Sequence, residues 1–168
     1  MKQSVLFLAL LLTASVFAQS SNPAYAEDVQ SIDAIITAYY EVVSGSSSAP
    51  WQFERDQYLH SKNAVITRFD TEGQADTHTL EAEYIPLALM PKSDLYEKEL
   101  KRKVSRYGRM AQVWSAFEIR TDPQVPTDIH GLNSIQLLYE NDRWYIASWT
   151  CEMESEDNPI VANFLGEE

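Results

Sequence analysis

Three histidines, one cysteine and twenty-five acidic residues carry most of the reactive chemistry in this 168-residue sequence. Their spacing excludes much of it. His60, His78 and His130 are scattered and no HExxH occurs, so the histidines show no metal-ligand spacing. Cys151 stands alone, which rules out an intramolecular disulfide, a CxxC redox pair and a thiolate cage. It has no flanking nucleophile signature and reads as a small half-buried hydrophobe. There is no GxSxG elbow for a serine nucleophile, and Gly45, Gly73, Gly108, Gly131 and Gly166 are too sparse for a phosphate loop. Glu152, Glu154, Glu156 and Asp157 lack EF-hand order and read as a solvated charge run. No metal and no cofactor is expected. Proton transfer by carboxylates remains. Glu118 shares a predicted strand face with Gln112 and Trp114, Asp70 opens a turn, and Glu97 and Glu99 share a face with Lys101 and Lys103 that reads as solvated mixed charge.

Charge narrows the partners. Thirteen basic against twenty-five acidic residues give a formal charge of −12, so polyphosphate and anionic membrane are poor partners and nucleic acid is not expected. Six of the basic residues, Lys98, Lys101, Arg102, Lys103, Arg106 and Arg109, fall close together. They are interleaved with strand core residues and read as neutralising the protein's own acidic surface, with an anionic partner as the alternative. A 45% hydrophobic, 23% charged composition is globular, and the four Trp, nine Tyr and six Phe suit either an aromatic pocket or a plain core.

The elements that must position these groups follow from periodicity. Between Asp28 and Ser44, Ile32, Ile35, Ile36, Tyr39, Tyr40 and Val43 form one helical stripe that starts at Asp28 and stops at Gly45. Trp51–Leu59 predicts a short second helix with Trp51 and Tyr58 turned inward. Ala64–Phe69 suits a strand, closed by Asp70-Thr71-Glu72-Gly73. Thr79–Leu89 begins as a helix that Pro86 should kink or end. Tyr96–Arg106 fits a helix or a strand. Met110–Arg120 is a clearer strand, with Ala111, Val113, Ser115, Phe117 and Ile119 on one face. Leu132–Tyr139 and Trp144–Cys151 form a hairpin through Glu140-Asn141-Asp142-Arg143. Helices first and antiparallel strands after them predict an α+β fold, with one domain over residues 27–165.

Met1–Ser20 carries one cation, Lys2, the apolar run Val5–Leu12 and a small-x-small exit at Val16 and Ala18. This is the pattern of a secretory signal peptide over residues 1–18, with a second cut available after Ala26. The apolar stretch is shorter than the roughly 20 residues of a spanning helix, so no stable membrane anchor is expected after cleavage. A periplasmic or secreted location follows.

The order of several phrases resembles the nuclear transport factor two-like superfamily, also called SnoaL-like or ketosteroid-isomerase-like. They are Ala38-Tyr39-Tyr40 with Val43-Ser44-Gly45, then Trp51, then Arg106-Tyr107-Gly108 running into Ala111-Gln112-Val113-Trp114-Ser115 and Phe117-Glu118. Gly131-Leu132-Asn133-Ser134-Ile135-Gln136-Leu137, Asp142-Arg143-Trp144-Tyr145-Ile146 and Asn158-Pro159-Ile160 follow. The resemblance implies a cone-shaped, strongly curved antiparallel sheet wrapped around N-terminal helices, with a pocket inside, and it reads Tyr96–Arg106 as a strand. The similar subgroup has no assigned activity. Histidine is expected there near positions 101 and 112, where this chain has Lys101 and Gln112.

Catalytic members of such a fold place a carboxylate or histidine in an apolar pocket, where desolvation raises a carboxylate's pKa. Glu118 and Asp70 are the candidate catalytic residues, with Glu99 behind them. Tyr39, Tyr40, Trp51, Tyr58, Gln112, Trp114, Gln136 and Trp149 are the candidate pocket lining. The plain alternative for Glu118 is a surface ion pair with Arg120 or Arg143. The first reading is binding of a small apolar molecule without assigned chemistry. The alternatives are an isomerase or lyase using a pocket carboxylate, and a homodimeric interaction module with a vestigial pocket.

Overall fold

The computed structural model describes residues 22–70, 72–127 and 129–165, and the expected leader over residues 1–18 lies outside them. The first helix, α1 (Ile32–Val43), is capped by Ser31, whose Oγ accepts the Ala34 N–H at 3.0 Å. Asp28 does not start it: a 3₁₀ turn, Glu27–Val29, occupies that stretch. Ile35, Ile36, Tyr39, Tyr40 and Val42 are buried, as one apolar stripe requires. The short helix α2 (Phe53–Leu59) runs directly into β1 (His60–Phe69).

Beyond the turn at Asp70, β2 (Ala75–Thr79) pairs back on β1. Sequence periodicity does not announce β2, because its residues are largely exposed and carry no apolar alternation. The helix α3 (Leu80–Leu89) is capped by Thr79 and contains Pro86. The proline does not end it at once. One further turn forms, and the Met90 N–H closes on the Pro86 carbonyl at 3.1 Å.

Four long strands follow: β3 (Tyr96–Tyr107), β4 (Met110–Arg120), β5 (His130–Glu140) and β6 (Arg143–Met153). A last turn of helix, α4 (Ala162–Leu165), ends the described chain. The stretch that fitted helix or strand is therefore a strand. The β5–β6 hairpin turns through Asn141 and Asp142 at φ 50° and 59°, the left-handed pair that matches strand twist.

One curved, open, six-stranded sheet results, in the order β2-β1-β6-β5-β4-β3. The fold is α+β, as expected. An entirely antiparallel sheet was expected, and one pairing differs: β1 runs parallel to β6, while the other neighbours are antiparallel. Register shifts bend the sheet, at the extra residue Leu100 on β3 and at the extra residue Ala147 on β6, opposite Gln136 and Leu137.

The face of the sheet that meets the helices carries Val113, Phe117, Ile135, Leu137, Ile146 and Trp149 against Ile36 and Tyr39 of α1 in one core cluster. Phe117 is seated over Gly131. A Cβ added at residue 131 would stand 2.4 Å from Phe117 Cζ and 2.8 Å from Cε1. Gly131→Ala is predicted to destabilise the fold by about 1–3 kcal/mol through overpacking. A urea unfolding curve checks this: the midpoint should fall with the slope unchanged, and an unshifted midpoint would show that Phe117 yields freely.

Candidate functional site

The three helices and the inner face of the sheet surround a cavity of about 160 Å³. Its wall is mainly aromatic and aliphatic, with Tyr39, Trp51, Phe53, Tyr84, Phe117 and Trp149 contributing rings. The polar residues that reach it are Gln52, Asp56, His60, Arg68, Glu83, Glu97 and Asn133, with the Cys151 thiol beside them.

Glu97 comes from the start of β3, where the chain is tied to the end of α1. Ser44 Oγ accepts the Glu97 N–H at 2.9 Å and donates to its carbonyl at 3.0 Å. Burial raises the Glu97 carboxyl from its ordinary 4.5 to about 7, and the Arg68 cation only partly opposes this. Arg68 is committed elsewhere. Its Nη1 lies 2.6 Å from Glu83 Oε1, which also receives His78 on its other oxygen at 2.5 Å, and its guanidinium lies 4.8 Å over the Trp149 ring. Burial pushes the Cys151 thiol up to about 12, with the Glu97 charge adding to it, so this is not a reactive thiolate.

On the opposite wall, Asp56 and His60 are four residues apart across the α2–β1 junction. His60 Nδ1 lies 2.8 Å from the Asp56 carbonyl oxygen, so this nitrogen carries the proton. Asp56 Oδ1 is 3.3 Å from the same nitrogen without hydrogen-bond geometry, and Asp56 Oδ2 accepts the Tyr84 hydroxyl at 2.8 Å. Burial, with Asp56 adding to it, raises the Tyr84 phenol well above its ordinary value.

Four buried polar atoms have no hydrogen-bond partner among the described residues: Asp56 Oδ1, His60 Nε2, Asn133 Oδ1 and Trp149 Nε1. All four residues line this one cavity. An unsatisfied buried polar group costs roughly 1–3 kcal/mol, and residues carrying four such atoms meet at this one place in the fold.

Of the residues anticipated from sequence, Tyr39, Trp51 and Trp149 line the cavity. Tyr40 lies behind it in the core, bonded to Ser115 and Asn133. Tyr58 lines a separate surface groove and stacks under the Arg143 guanidinium at 3.8 Å. Gln112, Trp114 and Gln136 belong to the other face of the sheet, because their strand neighbours Val113, Ser115 and Ile135 are buried on the inner one. There Gln112 donates to Ser134 at 2.9 Å, Trp114 packs on Phe164 at 5.5 Å, and Gln136 is exposed.

Neither candidate carboxylate reaches the cavity. Glu118 lies on the outer face, held by Arg120 through two contacts of 3.0 Å. Asp70 caps its own exposed turn, accepting the N–H groups of Glu72 and Gln74 at 2.9 and 2.8 Å. Glu97, Asp56, His60 and Asn133 take their place. The i,i+4 spacing of Asp56 and His60 was visible in the sequence. Glu97 was hidden by the bulge after Glu99: Glu97 and Glu99 face inward, and beyond the bulge the inward position passes to Arg102, which bonds Glu99 and Asp33. Among the described residues, no three His, Cys, Asp or Glu side chains gather closely enough to hold a metal ion.

The architecture is that of the nuclear transport factor two-like, or cystatin-like, fold. A protein of unknown function with a cystatin-like fold from Nostoc punctiforme superposes with a TM-score of 0.58 at 9% identity, covering 74% of this chain and 90% of that one. An NTF2-like protein of unknown function from Shewanella baltica gives 0.53 at 10% identity over 73% and 90%. A candidate dehydratase of the NTF2-like family from Streptomyces avermitilis gives 0.54 at 16% identity over 80% and 97%. No protein-family model and no curated protein matches the sequence.

The raised Glu97 pKa has a sign that unfolding can read. Between about 4.5 and 7 the folded carboxyl stays protonated while the unfolded one ionises, so this residue makes stability fall as pH rises through that window. Glu97→Gln should remove that part of the slope and gain relative to wild type above pH 7. Urea midpoints of both proteins at pH 5 and 8 check it; parallel changes would place the Glu97 carboxyl in water.

Proposed function

We propose that this is an exported protein whose interior cavity binds a small, largely apolar molecule. The observation that carries the reading is the aromatic-walled cavity on whose lining four buried polar atoms lack partners. Apolar walls with a few convergent polar groups are the usual make-up of small-molecule sites. The leader-like N-terminus supports export.

A second reading is favoured by Glu97. A carboxyl lifted to about 7 inside an apolar cavity exchanges its proton readily at neutral pH, which is what a general acid or base of an isomerase or lyase needs. The likeness to a candidate dehydratase is compatible with this, and it replaces Glu118 and Asp70 with Glu97 as the proton carrier. Under this reading Glu97→Gln should lower turnover by about 10²–10⁴-fold while Glu118→Gln leaves it unchanged.

Native mass spectrometry of the protein purified from its own cell-envelope fraction tests the binding reading. A reproducible added mass of small-molecule size, lost on denaturation, is the expected result; bare protein would overturn it. The denatured mass in the same experiment should correspond to a chain cleaved after Ala18 or Ala26. An intact Met1 would remove the export proposal.

A further inference from the structure

The orientation of one cavity amide is dictated from the far side of the core, and it restricts what the cavity can hold. A chain of hydrogen bonds runs from Arg102 through Glu99, Ser115 and Tyr40 to Asn133. Arg102 grips Glu99 Oε2 with Nε at 2.9 Å and Nη2 at 2.5 Å, and its Nη1 reaches Asp33 at 3.0 Å. Glu99 Oε1 accepts the Ser115 hydroxyl at 2.5 Å. Ser115 and Tyr40 hydroxyls are 2.7 Å apart, and Asn133 Nδ2 donates to the Tyr40 oxygen at 3.2 Å.

The direction of this chain is forced. A carboxylate gripped by a guanidinium accepts only, so Ser115 spends its single proton on Glu99. Ser115 can then only accept from Tyr40, and the phenol, kept protonated by burial, has one proton to give. Tyr40 must therefore accept its second bond, and of the two ends of the Asn133 amide only the NH₂ donates. The amide is locked with Nδ2 toward Tyr40, and Oδ1 is left without a partner among the described residues in a side chain that is 1% exposed. Asn133 is also on the cavity wall.

We infer that Asn133 is a specificity-determining residue of the cavity, accepting through Oδ1 a hydrogen bond from a hydroxyl, enol or N–H on an otherwise flat, apolar ligand. This rests on the reading of the cavity as a binding site. Trp149 Nε1, a donor without a partner on the same wall, suits an oxygen on the same molecule. A phenol or enol meets both demands, since it has one proton to donate and lone pairs to accept. A site that leaves a buried acceptor unpaired discriminates strongly against an analogue that lacks the donor.

The test uses 2-naphthol and its methyl ether as probes, which differ in the one proton at issue, with calorimetric titration of the intact protein. Wild type should prefer the naphthol by at least about tenfold. Asn133→Leu should abolish the preference while leaving affinity for the ether unchanged. Glu99→Gln, distant from the cavity wall, should weaken the preference severalfold, because a carboxamide at the chain's end can donate to Ser115 and releases the amide to turn. This variant keeps the inference testable if the Asn133 variant does not fold. Equal affinities of wild type for the two probes would overturn the inference, with Oδ1 then served by water alone, and would leave the binding site standing. Binding of neither probe would count against the binding site itself, and the inference would fall with it.

Discussion

A tyrosine hydroxyl in the middle of the protein fixes the relation between the first helix and the sheet. Tyr40 is 6% exposed, and its oxygen reaches β4 through Ser115 and β5 through Asn133. A buried phenol without partners is costly, so α1 can rotate or slide very little before that contact is lost. The rest follows from the lock. With Tyr40 turned to the strands, the adjacent Tyr39 is turned to the cavity, where its ring meets Trp149 at 6.1 Å and His60 at 6.5 Å. The end of α1 is then tied to β3 through Ser44, which sets Glu97 at the cavity wall.

Around this lock the molecule divides its polar chemistry by location. Ion pairs on the outside, such as Arg55 with Asp28 and Glu41, hold segments together at separations of 2.8 and 2.6 Å and carry little weight individually. Inside, Glu99, Ser115, Tyr40 and Asn133 are threaded into one directed chain, while Asp56, His60 and Trp149, on the cavity lining, each keep one polar atom without a partner among the described residues. The directed chain favours a single arrangement of the core.

Much of the frame was legible from residue patterns. The strand Met110–Arg120 and the hairpin around Asn141-Asp142 are present as read, because strict alternation and a two-residue turn are local properties. The stripe on α1 was equally clear, although Ser31 and not Asp28 caps it. The site was far less legible, and β3 explains why. Alternation assigned Glu97, Glu99, Lys101 and Lys103 to one face, but the bulge between Glu99 and Lys101 breaks that parity, and a bulge leaves no mark in a pattern of period two. Glu118 obeys the same rule: sharing a face with Trp114 and Gln112 places it with them, on the side of the sheet away from the cavity. The parallel pairing of β1 with β6 brings the first and the last strand together, and so joins Arg68 to Trp149 across a distance in sequence that no local pattern records.

The strand with the most basic residues is also one edge of the sheet. β3 is twelve residues long and has a neighbour on one side only, so along much of its length it offers another polypeptide a ready template for pairing. Lys98, Lys101, Arg102, Lys103 and Arg106 sit on this strand in a protein whose formal charge is otherwise strongly negative. Glu97 and Glu99 share the strand with them, and Glu99 is already bound to Arg102. Charged side chains along an exposed edge are one of the ways in which a sheet is kept from templating further strands, and here they lie on the opposite side of the sheet order from β2.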